Sequence, residues 1–429
     1  MLISFIVTFI FCLIIGVPVA IVLGLSALVA LIFWGDVSPL AIIPQRIFRG
    51  MNSFPLMAIP FFILAGELMG KSIITKLVEF ANSMIGFLRG GLAHVTVIAC
   101  MFFGGITGAG VAETAAIGSI LIPAMEKEGY TKELSAAVTA SASIMGPIIP
   151  PSIPMVIYAL SVGSLSVGAL FLAGVIPGIL IGLSIMGVIL YYSKRHNLPK
   201  HKEKFVFIEF LKATKEAIWA LLLPLIIMGG ILSGIYTATE AAVIAVVYAL
   251  FVNFIIYRDM TIKELMDCLV NSAVVTSVVL FMIGTASVAS WMITVLDIPY
   301  WLTSLVSGFS TNPNVFLILT MIILLIAGCL VESSANIIMF APILAPAAAA
   351  FGLNPIHFGF LVVMNLMIGM ITPPVGIILF VASGIAKLKF ERLVNAIMPF
   401  LLTIVIVLLL VVFVPEITLF LPRLFGLTN

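Results

Sequence analysis

The chain has 429 residues, of which 63% are hydrophobic and 9% charged, and its net charge is +2. Soluble globular proteins carry about 25% charged residues, so this composition excludes a water-soluble domain. The near-neutral balance leaves no basic face for nucleic acid, and four scattered cysteines and four histidines form neither a disulfide framework nor a metal-ligand spacing.

Crossing a bilayer takes roughly 20 apolar residues per helix. Uncharged runs occupy 1–35, 134–193, 217–239, 241–257, 268–296, 333–386 and 393–415. No alternating barrel-type strands accompany them, which predicts an all-α polytopic membrane protein. Residues 1–33 lack a basic leader and read as a retained segment, either one long helix or two broken near Pro18. Segment 72–88 reads as an amphipathic arm at one interface, with 298–310 as its mate at the other. Residues 90–125 and 313–347 are long for one crossing and short for two. Both have small, polar centres, "GGITGAGVAET" and "GCLVESSAN". Each predicts a re-entrant hairpin of two half-helices.

An offset of 223 residues lays Gly105 on Gly328, Pro123-Ala124 on Pro346-Ala347, Gly129 on Gly352, Gly146 on Gly369 and Pro150-Pro151 on Pro373-Pro374. The identities fall on glycine and proline, which set backbone shape. The chain therefore reads as two copies of one unit. The first is 1–193, with scaffold 1–88, hairpin 90–125 and broken helix 134–162. A basic linker, 194–215, is placed on the cytoplasmic side. The second copy is 216–429, with scaffold 216–312, hairpin 313–347, broken helix 355–386 and a C-terminal helix 393–415. Charge marks opposite ends of the two copies: "EKEGYTKE" in the first, "GIAKLKFE" in the second. That pattern predicts inverted topology, a hallmark of secondary transporters.

The breaks "GPIIPPS" and "GMITPPVG" carry the expected chemistry. Proline pairs donate no amide hydrogen and push the preceding residue out of the helix. The carbonyls near Gly369 and Met370 should then lose their donors, and carbonyls at a half-helix end suit a dehydrated Na⁺. The first Na⁺ site would comprise Gly105, Thr107, Gly108 and Gly110 of the tip facing Gly146, Ile149 and Ser152 of the break. The second would comprise Gly328, Glu332, Ser333, Gly369 and Thr372. Two sites imply two or more Na⁺ per cycle. Between the tips, Thr107, Thr114, Ser152, Ser333, Ser334, Asn336 and the amides following Pro374 would hold a substrate carboxylate. Glu332 either ligates a cation or orients its tip. Glu113 lies just past the other tip, and Glu67 and Glu240 read as interfacial hydrogen-bonding groups. With no catalytic pair and no Walker A sequence, the chain reads as an ion-gradient transporter and not an enzyme.

The stretches "NLMIGMITPPVG", "GPIIPPSIPMVIYAL", "SVGALFLAGVIPG" and "FGGITGAGVAETAAIGSILIP" resemble the large membrane subunit of tripartite ATP-independent periplasmic (TRAP) transporters. The match spans nearly the whole chain. It is most specific at Asn365, Leu366, Ile368, Gly369, Thr372, Pro373, Pro374, Val375 and Gly376. The first tip, Thr107-Gly108-Ala109-Gly110, departs from the Ser-Gly-Ser-Ser type found in relatives. The resemblance implies an elevator-type Na⁺-coupled importer of organic acids, such as C4-dicarboxylates or sialic acid, in the bacterial inner membrane. It also implies a small membrane subunit of about four helices and a periplasmic substrate-binding protein. The alternative reading is a stand-alone Na⁺/dicarboxylate symporter of related architecture. A channel or a membrane-embedded enzyme is more remote.

Overall fold

The computed structural model of the chain describes residues 2–33, 41–163, 165–196, 198–199, 201, 204–298, 300, 304 and 312–427. Among them every regular element is helical. Helix α1 (Leu2–Ile14) ends at a turn through Gly16, and Pro18 caps the start of α2 (Val19–Ile32). Proline is suited to a helix start, where its missing N–H is no loss. The N-terminal apolar segment is therefore two helices. Helix α3 (Ile42–Met51) and the segment Phe54–Leu68, which contains α4 (Ala58–Leu68), form a pair bent by 55°. Helix α5 (Gly70–Ile85) covers most of the predicted first arm. Most of the second arm, 298–310, lies outside the described residues.

Next come α6 (Gly91–Thr107) and α7 (Gly110–Lys127), a helical hairpin, then α8 (Lys132–Ser143) and α9 (Ile153–Val162), the two halves of a broken helix. Long helices follow: α10 (Val167–His196), α11 (Phe207–Leu232), α12 (Ala238–Phe251, extended by a π turn to Tyr257) and α13 (Ile262–Val295). Capping boxes start α12 and α13, with Glu240 folding back on Thr237 and Glu264 on Thr261. Glu240 is thus a cap. Helices α10 and α11 extend into the basic stretch 194–215 from both ends. The second hairpin is α14 (Pro313–Leu330) and α15 (Ser333–Ala350), and the second broken helix is α16 (Pro355–Gly369) and α17 (Ile377–Ala386). Helices α18 (Phe390–Phe413) and α19 (Glu416–Leu424) close the chain.

Adding 223 to the bounds of α7 reproduces those of α15, and α6, α8, α9 and α10 map onto α14, α16, α17 and α18 within a few residues. Among the described residues seven helices, α10 to α15 and α18, are long and apolar enough to cross a membrane; the bent pair would make eight. The helices of the hairpins and broken helices pack into one block. There α9 lies on α15 and α17 lies on α7, so each repeat's last half-helix packs on the other repeat's hairpin. A second group forms where α13 packs on α2, α3 and α4, and α12 packs on α4.

Candidate functional site

The first hairpin turns at Gly108, whose left-handed backbone (φ 59°) ends α6 with its N–H donating to Gly104 O at 3.0 Å. Residues with a Cβ rarely adopt this conformation. A Cβ there would also sit 2.9 Å from Ile153 N and 3.1 Å from Pro151 O. The hairpin tip is thus pressed against the break of its own repeat. One turn earlier, Gly104 and Gly146 touch backbone to backbone, and a Cβ on either would overlap the other helix or the Glu113 carboxylate. Glycine at both positions lets α6 and α8 approach at van der Waals contact.

The second tip follows the same plan with different chemistry. Gly328 meets Gly369 and Leu366: a Cβ on Gly369 would lie 2.7 Å from Gly328 Cα. Cys329 joins tip to break, its carbonyl accepting from Gly376 N at 3.1 Å and its Sγ from Val375 N at 3.5 Å. The Glu332 carboxylate is turned onto its own helix. It accepts from Ser334 N (2.8 Å), Ala335 N (3.3 Å) and the hydroxyls of Ser333 (2.7 Å) and Ser334 (3.1 Å). This is a helix N-cap made by glutamate, and it holds the tip residues Ser333 and Ser334 in place. In the first repeat the roles are exchanged. No side chain caps α7, whereas Ser152 caps α9 by accepting from Met155 N at 3.3 Å and donating to Pro147 O.

Several expected pairings take another form. Gly105 does not meet Gly146; it abuts Pro150 O and Pro224, and Gly104 makes the close approach. The reason is helical phase, since the face of α6 that meets α8 is set one residue earlier than the offset suggests. The carbonyls of Gly369 and Met370 are not left without donors. Thr372 N reaches Gly369 O at 2.9 Å, and Ile378 N reaches Met370 O at 3.1 Å. The chain turns back on itself through a short loop and supplies amides from beyond the proline pair. Among the described residues of this break, the carbonyls from Ile371 to Val375 have no backbone donor. The amides after Pro374 are largely consumed as well, by Cys329 and Met370. Ile149 packs its side chain on Gly178 of α10 and not toward the tip. Both proline pairs, Pro150-Pro151 and Pro373-Pro374, are cis.

The remaining candidates are at or behind the tips. Thr372 Oγ1 donates to Ile368 O at 2.7 Å, leaving its lone pairs toward the break. Thr107 is buried against Gly66 of α4, with its hydroxyl 3.5 Å from Phe103 O. Thr114 donates to Gly110 O at 2.8 Å, and a Cβ on Gly110 would stand 3.0 Å from Ile378 of α17, where the two repeats meet. Asn336 donates to Ala327 O (3.0 Å) and Val331 O (2.9 Å), closing the end of α14. Its Oδ1 is buried without a partner.

The acid just past the first tip, Glu113, stands out. Glu113 occupies the position equivalent to Asn336 at the 223 offset. It is fully buried, and its carboxyl group has the Cys100 thiol beside it but no hydrogen bond of normal length to either oxygen. Buried polar atoms are normally paired, so each repeat holds an acceptor with spare capacity directly behind its tip. Asn365 Oδ1 is a third such atom, beside an amide that donates to Met321 O at 2.5 Å. The repeat offset would have revealed the Glu113–Asn336 equivalence.

Paired hairpin tips against broken helices, buried in an apolar helical bundle, define a multi-pass membrane transport protein. The fold matches that of the YdaH transporter of Alcanivorax borkumensis, with a TM-score of 0.60 at 12% identity over 86% of each chain. Residues 6–417 match the family model described as the tripartite ATP-independent periplasmic transporter, DctM component. The chain belongs to this family, and it is a transport protein and not an enzyme. It is 41% identical over 434 residues to the C4-dicarboxylate TRAP transporter large permease of Vibrio cholerae, covering 96% of this chain and 95% of that one. It is 40% identical over 409 residues to the isethionate TRAP transporter permease DctMQ of Oleidesulfovibrio alaskensis. That match covers 95% of this chain and spans 64% of that longer protein.

Proposed function

We propose that this chain is the large membrane subunit of a Na⁺-coupled TRAP transporter in the bacterial inner membrane, importing an organic acid by an elevator motion. The observation that carries the reading is the repeat-related pair of tip–break contacts, Gly104–Gly146 and Gly328–Gly369. Each is backed by a buried acceptor with spare capacity, on Glu113 and Asn336 respectively. A desolvated cation is the natural occupant for surplus oxygens in a dry site, because it replaces lost water ligands with fixed dipoles. In the second site the carbonyls of Ile371, Thr372 and Pro373 and the Thr372 hydroxyl are suited to Na⁺. In the first, Gly108, Gly110, Gly146 and Ser152 surround the equivalent place.

The block of hairpins and broken helices would slide past the group formed by α2, α3, α4, α12 and α13. A small membrane subunit would brace that group, and a periplasmic binding protein would deliver the acid. The relatives named for C4-dicarboxylate and isethionate share an anionic solute, which supports an organic acid as the substrate class here. The test is reconstitution with a small subunit and a binding protein of the same transporter. An inward Na⁺ gradient should drive accumulation of the acid only when both partners are present. Accumulation without the binding protein would instead identify a stand-alone symporter. Accumulation driven equally by K⁺ would refute sodium coupling.

A further inference from the structure

A cavity of about 400 Å³ opens between the two helix groups, apart from both breaks. One wall is α3 and α13, with Arg46, Ser287, Ser290, Trp291 and Thr294. The other is α9 and α15, with Ser161 and Ile338. Ile338 lies five residues beyond Ser333, about 7.5 Å along α15 from the tip. The volume falls in the range of small-ligand sites.

Among the described residues, Arg46 is the only charged side chain in this lining. Its guanidinium lies 5.1 Å from the centroid of Trp291, and this stacking fixes the plane of the fork. Its Nε is buried and has no hydrogen-bond partner. Among the described residues no carboxylate pairs with it. The side chain is half-buried and only its Nε is shut off from solvent, so the rest of the fork stays open to the cavity, where an oxyanion would satisfy it. The hydroxyls around it divide by role. Thr294 Oγ1 donates to Ser290 O at 2.9 Å, and Ser161 Oγ donates to Ile157 O at 2.8 Å. Ser287 and Ser290 are the two remaining hydroxyls in the lining, and they can add donors to the fork.

We propose that Arg46, Ser287 and Ser290 form an anion subsite that receives the carboxylate or sulfonate of the transported acid outside the hairpin tips. The assignment rests on the transporter reading above, and it adds a charge that neither tip supplies. Because its walls come from two helix groups, relative movement of those groups opens and closes the subsite.

The experiment uses the complex with its small subunit, with the other three tryptophans of this chain and every tryptophan of the small subunit replaced by phenylalanine so that Trp291 is the sole indole. Its emission is titrated with succinate and with isethionate, with and without Na⁺. A saturable change is expected with at least one acid, weakened ~10-fold or more in Arg46→Gln and ~3-fold in Arg46→Lys, the range of a lost charged hydrogen bond. Ser287→Ala with Ser290→Ala provides a second variant if Arg46→Gln does not fold, and it should also weaken the titration several-fold. Titrations unchanged by these variants, or no response to either acid, would overturn the subsite. A response only to vesicles containing phosphatidylglycerol would also overturn it, in favour of a lipid phosphate. Na⁺-driven uptake is measured on the same preparation. Uptake without any Trp291 response rejects the subsite alone. A response without Na⁺-driven uptake supports the subsite and rejects the coupling.

Discussion

Gly369→Ala puts the tip–break contact to a direct test. Its new Cβ would lie 2.7 Å from both Cα and C of Gly328 and 3.0 Å from Cys329 N, all backbone atoms that cannot swing aside. Ordinary contact begins near 3.4 Å, so α14 and α16 must separate by ~0.7 Å, at an overpacking cost of about 1–3 kcal/mol. The same displacement moves the break relative to Cys329, whose carbonyl holds Gly376. If the closed arrangement is the Na⁺-loaded one, the cost falls on cation binding. A cost of that size is ~5- to 150-fold in half-saturating Na⁺. The assay is the Na⁺ dependence of uptake into proteoliposomes containing the full complex. Gly384→Ala is the control, because a Cβ there meets nothing within 4 Å and Gly384 lies in α17. Equal Na⁺ dependence in Gly369→Ala, Gly384→Ala and the parent would refute the reasoning.

Other outcomes follow from the same contacts. Thr372→Val removes a hydroxyl from the second break and should raise half-saturating Na⁺ by ~10-fold or more, while Thr372→Ser keeps it near the parent value; equal behaviour of the two variants would exclude the hydroxyl as a ligand. Glu332→Gln retains an oxygen able to cap α15, so its Na⁺ dependence should stay within about 3-fold; a larger rise would mean that the carboxylate touches the ion. Asn336→Leu strands the carbonyl of Val331, whereas Ala327 O keeps the Val331 amide; the unpaired group costs about 1–3 kcal/mol and should lower the unfolding midpoint in detergent. Ser152→Ala should cost about 1 kcal/mol through the lost cap on α9, read as a smaller fall in the same midpoint.

The helical plan was legible because glycine and proline fix backbone shape independently of packing. The shared offset placed Gly146 with Gly369 and the two proline pairs together, and the structure has the matching helices α6 to α10 and α14 to α18. What the offset cannot convey is rotation about a helix axis. Gly104 and Gly105 are both small, and only the packing of α6 on α8 decides which one makes the contact. Hydrogen-bond partners across a loop were equally invisible, since Ile378 reaches Met370 only after the chain has turned. Glu332 was ambiguous between ligand and tip support because a carboxylate serves either use, and the structure turns it onto Ser334 and Ala335. Arg46 went unnoticed in the sequence because a basic residue between apolar runs reads as an interfacial anchor. Its importance depends on Trp291, which is distant in sequence.

Helix α8 has no lipid-facing side: every residue from Leu134 to Ser143 is buried. Its hydroxyls on Ser135, Thr139 and Ser143 bond back to carbonyls four residues earlier, at 3.0, 2.9 and 2.7 Å. Such a segment is too polar and too short to hold its place in a bilayer alone. Its neighbours include α17 and α18, which are translated more than two hundred residues later. The amino-terminal half must therefore wait for the carboxy-terminal half during biogenesis. A ribosome stalled after α9 should yield a chain whose α8 remains open to protease or thiol labelling, and release of the full chain should protect it. The interlocking of the two repeats thus makes membrane insertion a late, joint event.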